Sequence, residues 1–456
     1  MDPKEDRESW EDLEQLVEES DAAGAQAFLE QLPAGETARA VLRLDEEDQE
    51  QLLAALSPDA AASVVDELPD AQAAEMLERL EPEAAAAILR ELPSDERADL
   101  LTALDERGAE QILAELDPKE AREARRLSAY APDVAGGLMA TEFLTYTERS
   151  TVASVVRDLR RRADELEDEE TQYVYVVSAT RTLSGVLRMR DLLLAPGRRE
   201  VAEIMIPNPV TVGVDTSLRE LSDVFDRHAF LGLPVVDEER RLLGVVQRAD
   251  VEEAVGERSE GEYLKAQGIV GGDELRTMPI WLRSRRRLSW LTPNIALNLI
   301  AACVIAAYQD TIEAVVALAF FLPIISDMSG CSGNQAIAVS IRELSLGLVK
   351  PTELRYVWLK EIRVGIINGL ALGVLISLVA WIWQGNGYLG LVVGGAMVLN
   401  TLVAVSIGGA IPLLLKRLRL DPALASGPIL TTVTDMCGFF LLLSFATALL
   451  PRLTGP

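Results

Sequence analysis

The stretch Ala423–Leu450, ALASGPILTTVTDMCGFFLLLSFATALL, decides the fold of this chain. It contains 28 residues, and Asp435, near its midpoint, is the only charged one. About 20 apolar residues are enough for a helix to cross a bilayer, and a charge at the centre of such a helix costs roughly 2.5–3.5 kcal/mol on insertion scales. A carboxylate in that position normally faces a bundle interior or a watery path. The stretch therefore predicts a membrane-spanning helix in a protein that handles cations inside the bilayer.

Four other apolar runs precede this one, so the sequence predicts five spans. They cover roughly 291–309, 314–341, 364–383, 388–415 and 423–450. Basic residues cluster in the loops after the second and fourth spans: Lys350, Arg355, Lys360, Arg363, Lys416, Arg417 and Arg419. The opposite loops carry only Asp310, Glu313 and uncharged residues. The positive-inside rule then predicts a multi-pass protein of the cytoplasmic membrane, with its N-terminal half in the cytosol and its C-terminus outside.

The two parts of the chain differ sharply in charge. Residues 1–280 carry 64 acidic and 30 basic side chains, a net charge of −34, whereas residues 281–456 carry 8 acidic and 13 basic side chains, a net charge of +5. Such an acidic surface repels nucleic acid and attracts cations. The first 30 residues show no basic or apolar signal-peptide region, so no signal peptide is expected.

The chain is poor in the ligands that zinc and copper prefer. It has three cysteines, all in apolar spans and none in a CxxC pair, and a single histidine, His228. No disulfide framework is implied. Any metal is therefore expected to be a hard ion bound by oxygen, such as Mg²⁺ or Ca²⁺.

A repeat of twelve residues fills the first part of the chain. It is marked by leucines at positions 32, 44, 56, 68, 80, 92, 104 and 116, with prolines near the seams between repeats. Alanine, glutamate and leucine favour helix, and each proline ends the helix before it. A single short helix cannot bury its own apolar face, so the repeats are predicted to stack as a superhelix over residues 1–130.

Two strand–strand–helix units follow, about 60 residues apart, and they resemble a tandem pair of CBS domains. The resemblance rests on Pro234–Asp237, Gly244–Val246 and Asp250. The first unit contains the β-rich Gln172–Val177, and its weaker counterparts of these residues are Val176, Gly185 and Asp191.

Two positions of the CBS pair argue against nucleotide binding. Nucleotide-binding pairs usually place Ser or Thr three residues before the aspartate, but this chain has Arg188 and Gln247 there. Binding of ATP or AMP to the CBS pair is therefore doubtful.

The second span carries an unusual polar motif, Ser326–Gln335, SDMSGCSGNQ. Pro323 and the two motif glycines predict a broken helix in which backbones approach closely. Asp327 adds a second intramembrane acid. Polar, glycine-rich backbone at this depth is tolerated only against protein or water, so this span is predicted to face the span with Asp435.

The polar motif and the stretch from Leu420 to Asp435, LDPALASGPILTTVTD, together resemble the MgtE family of magnesium channels. The order of the predicted parts matches as well, over essentially the whole chain. The resemblance implies a homodimer in the lipid bilayer, with a pore at the two-fold axis lined by spans two and five. It also implies pore roles for the residues that match the family motifs: Asp435, Asp327, Asn334, Gln335 and Gly438.

Symmetry leads to a similar site by a separate route. One Asp435 per chain is a poor ligand for a divalent ion, but a two-fold axis supplies the carboxylate twice. Mg²⁺ loses water reluctantly, so a wide site with few direct ligands would bind it hydrated. Cys331 and Gly427 depart from the asparagines usual in the family, and both positions bear on ion preference.

The resemblance also implies a cytosolic Mg²⁺ sensor that closes the pore. The matching positions are Asp95 and Asp99 on the superhelix and Asp250, Glu253 and Glu262 opposite them, with Glu260 added as a neighbour. Ala229 and Gly261 stand where the family often has acids, so fewer ions or weaker closure are expected.

The sequence thus predicts a multidomain α plus α/β protein and not an enzyme. Its predicted parts are the superhelix (1–130), CBS 1 (131–200), CBS 2 (201–255), a connecting helix and linker (256–287) and a five-helix transmembrane domain (288–456). Two alternatives remain: an alternating-access transporter of another divalent cation such as Co²⁺ or Mn²⁺, and an intramembrane aspartyl protease that uses Asp327 and Asp435. Neither Asp327 nor Asp435 lies in the Gly-x-Gly-Asp or Tyr-Asp contexts of such proteases. Five spans would leave an inverted repeat with one extra helix, which argues against the alternating-access transporter.

Overall fold

The structure is a computed structural model that describes residues 9–163, 166, 173–271, 274–418 and 420–454. The chain divides between Glu257 and Arg258 into two compact units. Gln172 and Arg419, which entered the strand and charge predictions, lie outside the described residues.

Within the described residues, the first unit begins with ten short helices. They are α1 (Ser9–Glu18), α2 (Ala22–Leu29), α3 (Ala34–Val41), α4 (Glu46–Ala55), α5 (Pro58–Asp66), α6 (Asp70–Arg79), α7 (Pro82–Glu91), α8 (Ser94–Ala103), α9 (Glu106–Glu115) and α10 (Pro118–Leu127). Alternate helices pack together, so α5, α7 and α9 form one row while α4, α6, α8 and α10 form another. The predicted helical superhelix is confirmed.

The repeating leucines close each helix and fill the core. Leu56, Leu80, Leu92, Leu104 and Leu116 each occupy the position just after a helix, with extended backbone. These five side chains are all buried in one continuous apolar cluster. The next residue caps or precedes the following helix, as Asp105 does when it accepts a hydrogen bond from Gly108 N. This alternation of helix, leucine and cap produces the twelve-residue period.

In the part of the chain that the structure describes, two small sheets with short helices follow the superhelix. The first sheet has the order β1 (Leu144–Thr147), β2 (Tyr173–Val177), β3 (Leu183–Arg188) and β4 (Ile206–Pro207), and the second has β5 (Val212–Gly213), β6 (Gly232–Val236) and β7 (Leu242–Gln247). In each sheet the first pair is parallel and the second antiparallel. The helices are α11 (Val152–Arg161), α12 (Met189–Leu194), α13 (Leu218–Arg227) and α14 (Arg248–Ala266). This repeated arrangement confirms the CBS pair.

The second unit is built from long apolar helices. They are α15 (Ile280–Ala307), the short α16 (Gln309–Ala314), α17 (Leu318–Ser345), α18 (Leu354–Gln384), α19 (Gly387–Arg417), α20 (Pro422–Ala448) and the short α21 (Leu450–Leu453).

Before α15, the carboxylate of Glu274 is 2% exposed and accepts hydrogen bonds from Arg283 (Nε, 3.3 Å) and Arg287 (Nε, 2.8 Å). The linker is therefore tied to the first turns of α15.

Among the described residues, four helices are long and apolar enough to cross a membrane: α15, α18, α19 and the Ser426–Ala448 part of α20. Helix α17 is not among them, and it carries Asp327 and many small polar residues. Four of the five predicted spans are thus supported by length and composition, and the second stays a prediction.

The predicted break in the second span is wrong. Helix α17 runs without interruption, with Pro323 inside it. The proline is the sixth residue of the helix, so its missing N–H removes only a hydrogen bond to the first turn. Helices can absorb one such loss close to their N-terminus, and the motif glycines continue the helix.

Helix α19 lies at the centre of the second unit and packs against α17, α18 and α20. Glycines let the backbones approach at two crossings. A methyl group on Gly408 would come within 2.3 Å of the carbonyl oxygen of Gly333 on α17, and one on Gly394 would come within 2.7 Å of the carbonyl oxygen of Gly373 on α18. Close crossings of this kind are typical of helix packing in membranes.

Candidate functional site

Asp435 lies on α20 against α17, as the sequence predicts. Its carboxylate accepts a hydrogen bond from the Ser326 hydroxyl, and its side chain is half-buried. Ser326 is the first residue of the polar motif, so the motif of α17 meets the Asp435 stretch of α20 at this contact. A hydroxyl donor stabilises the ionised carboxylate and fixes its orientation. The pairing leaves the second oxygen of Asp435 able to interact with a cation.

The predicted pore residues of the second span share one face of α17 with Cys331, whereas Gly438 lies on α20. Asp327, Cys331, Asn334 and Gln335 are all exposed in the single chain. Spacings of four and three residues put side chains on the same side of a helix. The opposite side of α17 is the packed one, where Ser340 donates to the carbonyl oxygen of Gly409 on α19 (3.1 Å).

A second group of acids lies in the first unit, where α6, α8 and α14 come together. We call it the acidic cluster, and its members are Asp70, Asp95, Glu96, Asp99, Asp250, Glu253 and Glu257. Burial and then the charge of Asp250 raise the pKa of Asp95 to about 7. Burial and then Asp70, Asp95 and Glu257 raise the pKa of Asp99 to about 7. Both shifts follow from half-buried carboxyls that lie close to other acids.

Glu96 is the most strongly perturbed member of the acidic cluster. Burial, followed by the charge of Asp95 and other nearby acids, raises its pKa to about 9. Burial and then Glu253 raise the pKa of Asp70. Within the described residues, no three acidic, histidine or cysteine side chains converge closely enough to hold a metal ion directly. The cluster is therefore a group of crowded carboxyls and not a preformed cage of ligands.

Helix α8, which carries three of these acids, is held at its N-terminus by Glu142. The Glu142 carboxylate accepts from the backbone N–H (3.3 Å) and the hydroxyl (2.8 Å) of Ser94, the first residue of α8. The preceding Pro93 makes no side-chain cap of its own. A carboxylate at a helix N-terminus stabilises the helix through the unpaired N–H groups. Glu142 thus positions the acids of α8.

The structure brings together only part of the predicted sensor. Asp95, Asp99, Asp250 and Glu253 belong to the acidic cluster. Glu260 and Glu262 lie beyond the division of the chain, in the second unit. There Glu260 is exposed, and Glu262 accepts hydrogen bonds from Arg258 (3.4 Å) and Ser345 (3.2 Å).

Comparisons with known proteins agree with these features. The MgtE family, described as a divalent cation transporter, matches residues 322–445; the MgtE intracellular N domain matches 9–83 and 32–133; and a CBS domain matches 201–257. The magnesium transporter MgtE of Thermus thermophilus is 37% identical over 338 residues, covering 73% of this chain and 74% of that protein.

The chain belongs to the MgtE family. The magnesium transporter MgtE of Bacillus subtilis is 33% identical, with 73% of each chain covered. A crystal structure of the soluble part of a magnesium transporter aligns with a TM-score of 0.51 at 28% identity, covering 55% of this chain and 98% of that one. MgtE is a family of transporters and not of enzymes.

In this MgtE protein the aspartate of the first CBS unit is already paired. Arg188 donates from Nε to Asp191 at 2.6 Å, and Arg190 lies 3.5 Å from the same carboxylate. In the second unit, Asp250 accepts from the backbone N–H of Gln247 (3.1 Å). These contacts do not test nucleotide binding, which stays a prediction from the sequence.

Sequence reasoning missed several residues that shape these MgtE sites. Ser326 was part of a noted motif, but nothing in the sequence tied it to Asp435. Asp70 and Glu96 lie in the same acidic repeats as the predicted acids, and a scan for acids at the starts of α6 and α8 would find them. Glu142 has no local signal, because its partner Ser94 is 48 residues away.

Proposed function

We propose that this chain forms a homodimeric Mg²⁺ channel of the cytoplasmic membrane, with its pore at the two-fold axis and its closure controlled by cytosolic Mg²⁺. The observation that carries the proposal is the exposed polar face of α17, beside Asp435. Asp327, Asn334 and Gln335 on that face have side chains that hydrocarbon cannot solvate.

The polar face needs a watery or protein neighbour, because a lipid neighbour would be costly. A second copy of the chain related by a two-fold axis would supply the same face again. The space between the two copies of α17 and α20 would then be lined by polar groups and by two Asp435 carboxylates. Such a lining favours cations over anions.

The chemistry of this lining suits Mg²⁺. The ligands are oxygens from carboxylates, amides and hydroxyls, as hard cations prefer. Each chain contributes the Asp435 carboxylate, which a hydrogen bond from Ser326 orients. Two carboxylates across an axis would attract a divalent ion while leaving most of its water shell in place, which matches the slow dehydration of Mg²⁺. Relatives named magnesium transporters support the same choice of ion.

Closure would depend on the acidic cluster of the first unit. Its crowded carboxylates repel one another, and Asp95 has a buried oxygen with no hydrogen-bond partner in the described part of the chain. Divalent cations between α6, α8 and α14 would relieve this repulsion and hold those helices together. High cytosolic Mg²⁺ would thus stabilise one arrangement of the first unit, which we propose is the closed one.

The pore is tested by Asp435→Ala in reconstituted vesicles loaded with a Mg²⁺ indicator. We expect Mg²⁺ uptake to be abolished while the dimer persists on size-exclusion chromatography. Asp327→Asn should reduce uptake less, because Asp327 is exposed whereas Asp435 is half-buried and its carboxylate is oriented by the Ser326 hydroxyl. Asp310→Asn changes an exposed acid in a loop predicted to lie on the outer side of the membrane. It is the matched control and should leave uptake unchanged. Normal uptake by Asp435→Ala would refute the pore assignment.

The sensor is tested separately by deleting residues 1–130. The truncated channel is expected to stay active but to lose inhibition by millimolar Mg²⁺. If it still closes as steeply as the intact channel, the superhelix is not part of the sensor. This test leaves the transmembrane residues untouched, so its outcome does not depend on the pore assignment.

Two alternatives are separated by simple measurements. An alternating-access transporter of Co²⁺ or Mn²⁺ would show saturable, counter-ion-dependent flux and no single-channel openings. An aspartyl protease would need Asp327 and Asp435 as a pair, but Asp435 is bonded to Ser326 while Asp327 is exposed. Cleavage of a transmembrane peptide by the purified protein would support the protease.

A further inference from the structure

Helix α19 carries an unusual residue at its centre, Asn400. Its side chain is 0% exposed, and neither atom of its amide has a hydrogen-bond partner within the described residues. An unpaired amide in the interior of a helix bundle costs free energy, since the interior offers no water to replace the missing bonds. Packing alone is better served by leucine, so this residue needs another explanation.

The amide of Asn400 packs against α20, the helix that carries Asp435. A methyl group added to Gly438 of α20 would lie 2.6 Å from the amide nitrogen and 3.3 Å from its carbon. The same methyl would lie 3.3 Å from Ile325 of α17. Three helices therefore meet at Gly438, and only glycine leaves room for the amide there.

This contact is one helical turn from the pore carboxylate. Gly438 follows Asp435 by three residues, about 4.5 Å along the helix and on nearly the same side. Ile325 is next to Ser326, whose hydroxyl donates to Asp435. The position of α20 against Asn400 therefore fixes how far Asp435 reaches toward the exposed side of the chain.

We propose that Asn400 is a positioning residue that sets the ion preference of the pore through Gly438. This inference rests on the proposed function, because it takes Asp435 as the pore carboxylate. A methyl at Gly438 must move α20 by about 1 Å to reach a normal contact distance. The shift occurs once in each copy of the chain, so it acts twice on the space between two Asp435 side chains.

A narrower site penalises Mg²⁺ more than Ca²⁺, because Mg²⁺ gives up its water shell more reluctantly. Gly438→Ala is therefore expected to lower Mg²⁺ flux by about tenfold, the effect of a modest overpacking strain. It is expected to raise the ratio of Ca²⁺ flux to Mg²⁺ flux. Combining it with Asn400→Ala or Asn400→Ser removes the clash and should return this ratio toward that of the parent channel.

The experiment measures Mg²⁺ and Ca²⁺ flux in proteoliposomes for the full chain and its variants. Gly395→Ala is the matched control, since a methyl there would meet Phe445 of α20 only at 3.7 Å, an ordinary contact. Asn400→Ala alone can be measured even if Gly438→Ala fails to fold. It should lower the ratio of Ca²⁺ flux to Mg²⁺ flux, the opposite of the change expected for Gly438→Ala.

Three outcomes would overturn the inference: a parental flux ratio in Gly438→Ala, a parental flux ratio in Asn400→Ala, or failure of both double variants to restore the ratio while folded. Asp435→Ala is measured in parallel. If Asp435→Ala conducts Mg²⁺ normally, the proposed pore assignment is wrong. If Asp435→Ala does not conduct while the Asn400 and Gly438 variants keep the parental ratio of Ca²⁺ flux to Mg²⁺ flux, only this inference is wrong.

Discussion

Raising the pH from 6 to 8 should strengthen Mg²⁺ binding to the acidic cluster about a hundredfold. Burial and neighbouring charges raise the pKa of Asp95 and of Asp99 to about 7, and Mg²⁺ binds carboxylates only when they are ionised. A carboxyl with this pKa is about one-tenth ionised at pH 6 and about nine-tenths at pH 8. Each of the two therefore contributes about a tenfold gain. Glu96, with a pKa of about 9, stays largely protonated over this range and is not counted as a ligand.

The same values predict how many protons Mg²⁺ displaces. Binding to both carboxyls should release about two protons at pH 6, one at pH 7 and fewer than half a proton at pH 8. Isothermal titration of the full chain in detergent, repeated in buffers of different ionisation enthalpy, measures affinity and proton release together. The protein would carry Asp435→Asn, so that binding in the pore does not contribute.

Two variants sharpen this measurement. Asp99→Asn leaves one titrating carboxyl, so its gain in affinity between pH 6 and 8 should fall to about tenfold. Asp59→Asn, at an exposed acid of the same superhelix, should keep the full gain. A change in affinity of less than about threefold, or binding without proton release, would refute the reasoning that these half-buried carboxyls bind the ion.

Three further changes test individual contacts. Ser326→Ala removes the donor to Asp435, and Mg²⁺ flux in vesicles should fall by about tenfold, since hydrogen bonds to charged groups are among the stronger ones. Glu142→Gln weakens the cap on Ser94, so amide exchange in α8 should speed up, consistent with a loss of about 1 kcal/mol. Glu274→Gln removes the ion pairs that hold the linker to α15, and amide exchange there should rise by about tenfold. The arginines beside Glu274 hold its pKa below the usual range, so in the parent chain this stabilisation should disappear as the pH falls through that lowered pKa.

Much of the fold could be predicted because its signals are local and repeated. The leucine period was enough to predict a stack of short helices, since each leucine closes one helix and enters the common core. The two CBS units were recognisable from short strands bounded by glycine and aspartate. The prediction for α17 failed in part, because Pro323 was given the effect that it has in the middle of a helix. Its place near the N-terminus was the deciding detail.

The sites were predictable only as far as single residues carry their own signal. Asp435 is conspicuous as a lone charge in an apolar run, but its donor Ser326 is 109 residues away in the chain. The crowding of Asp95 with Asp250 depends on how the superhelix folds back on α14, which composition does not encode. Asn400 is an ordinary polar residue in the sequence and becomes informative only through its burial against Gly438.

The two-row packing of the superhelix restricts how this protein can change length during evolution. Even-numbered helices contact even-numbered ones, and Asp70 and Asp95 lie on successive members of that row. Inserting one repeat between them would move the later helix into the other row and turn its acids away from their partners. Inserting two repeats would keep the rows in phase and only lengthen the stack. Viable homologues should therefore differ in this region by even numbers of repeats. Whether the number of repeats is odd or even should thus be the same throughout a set of homologues that share this sensor.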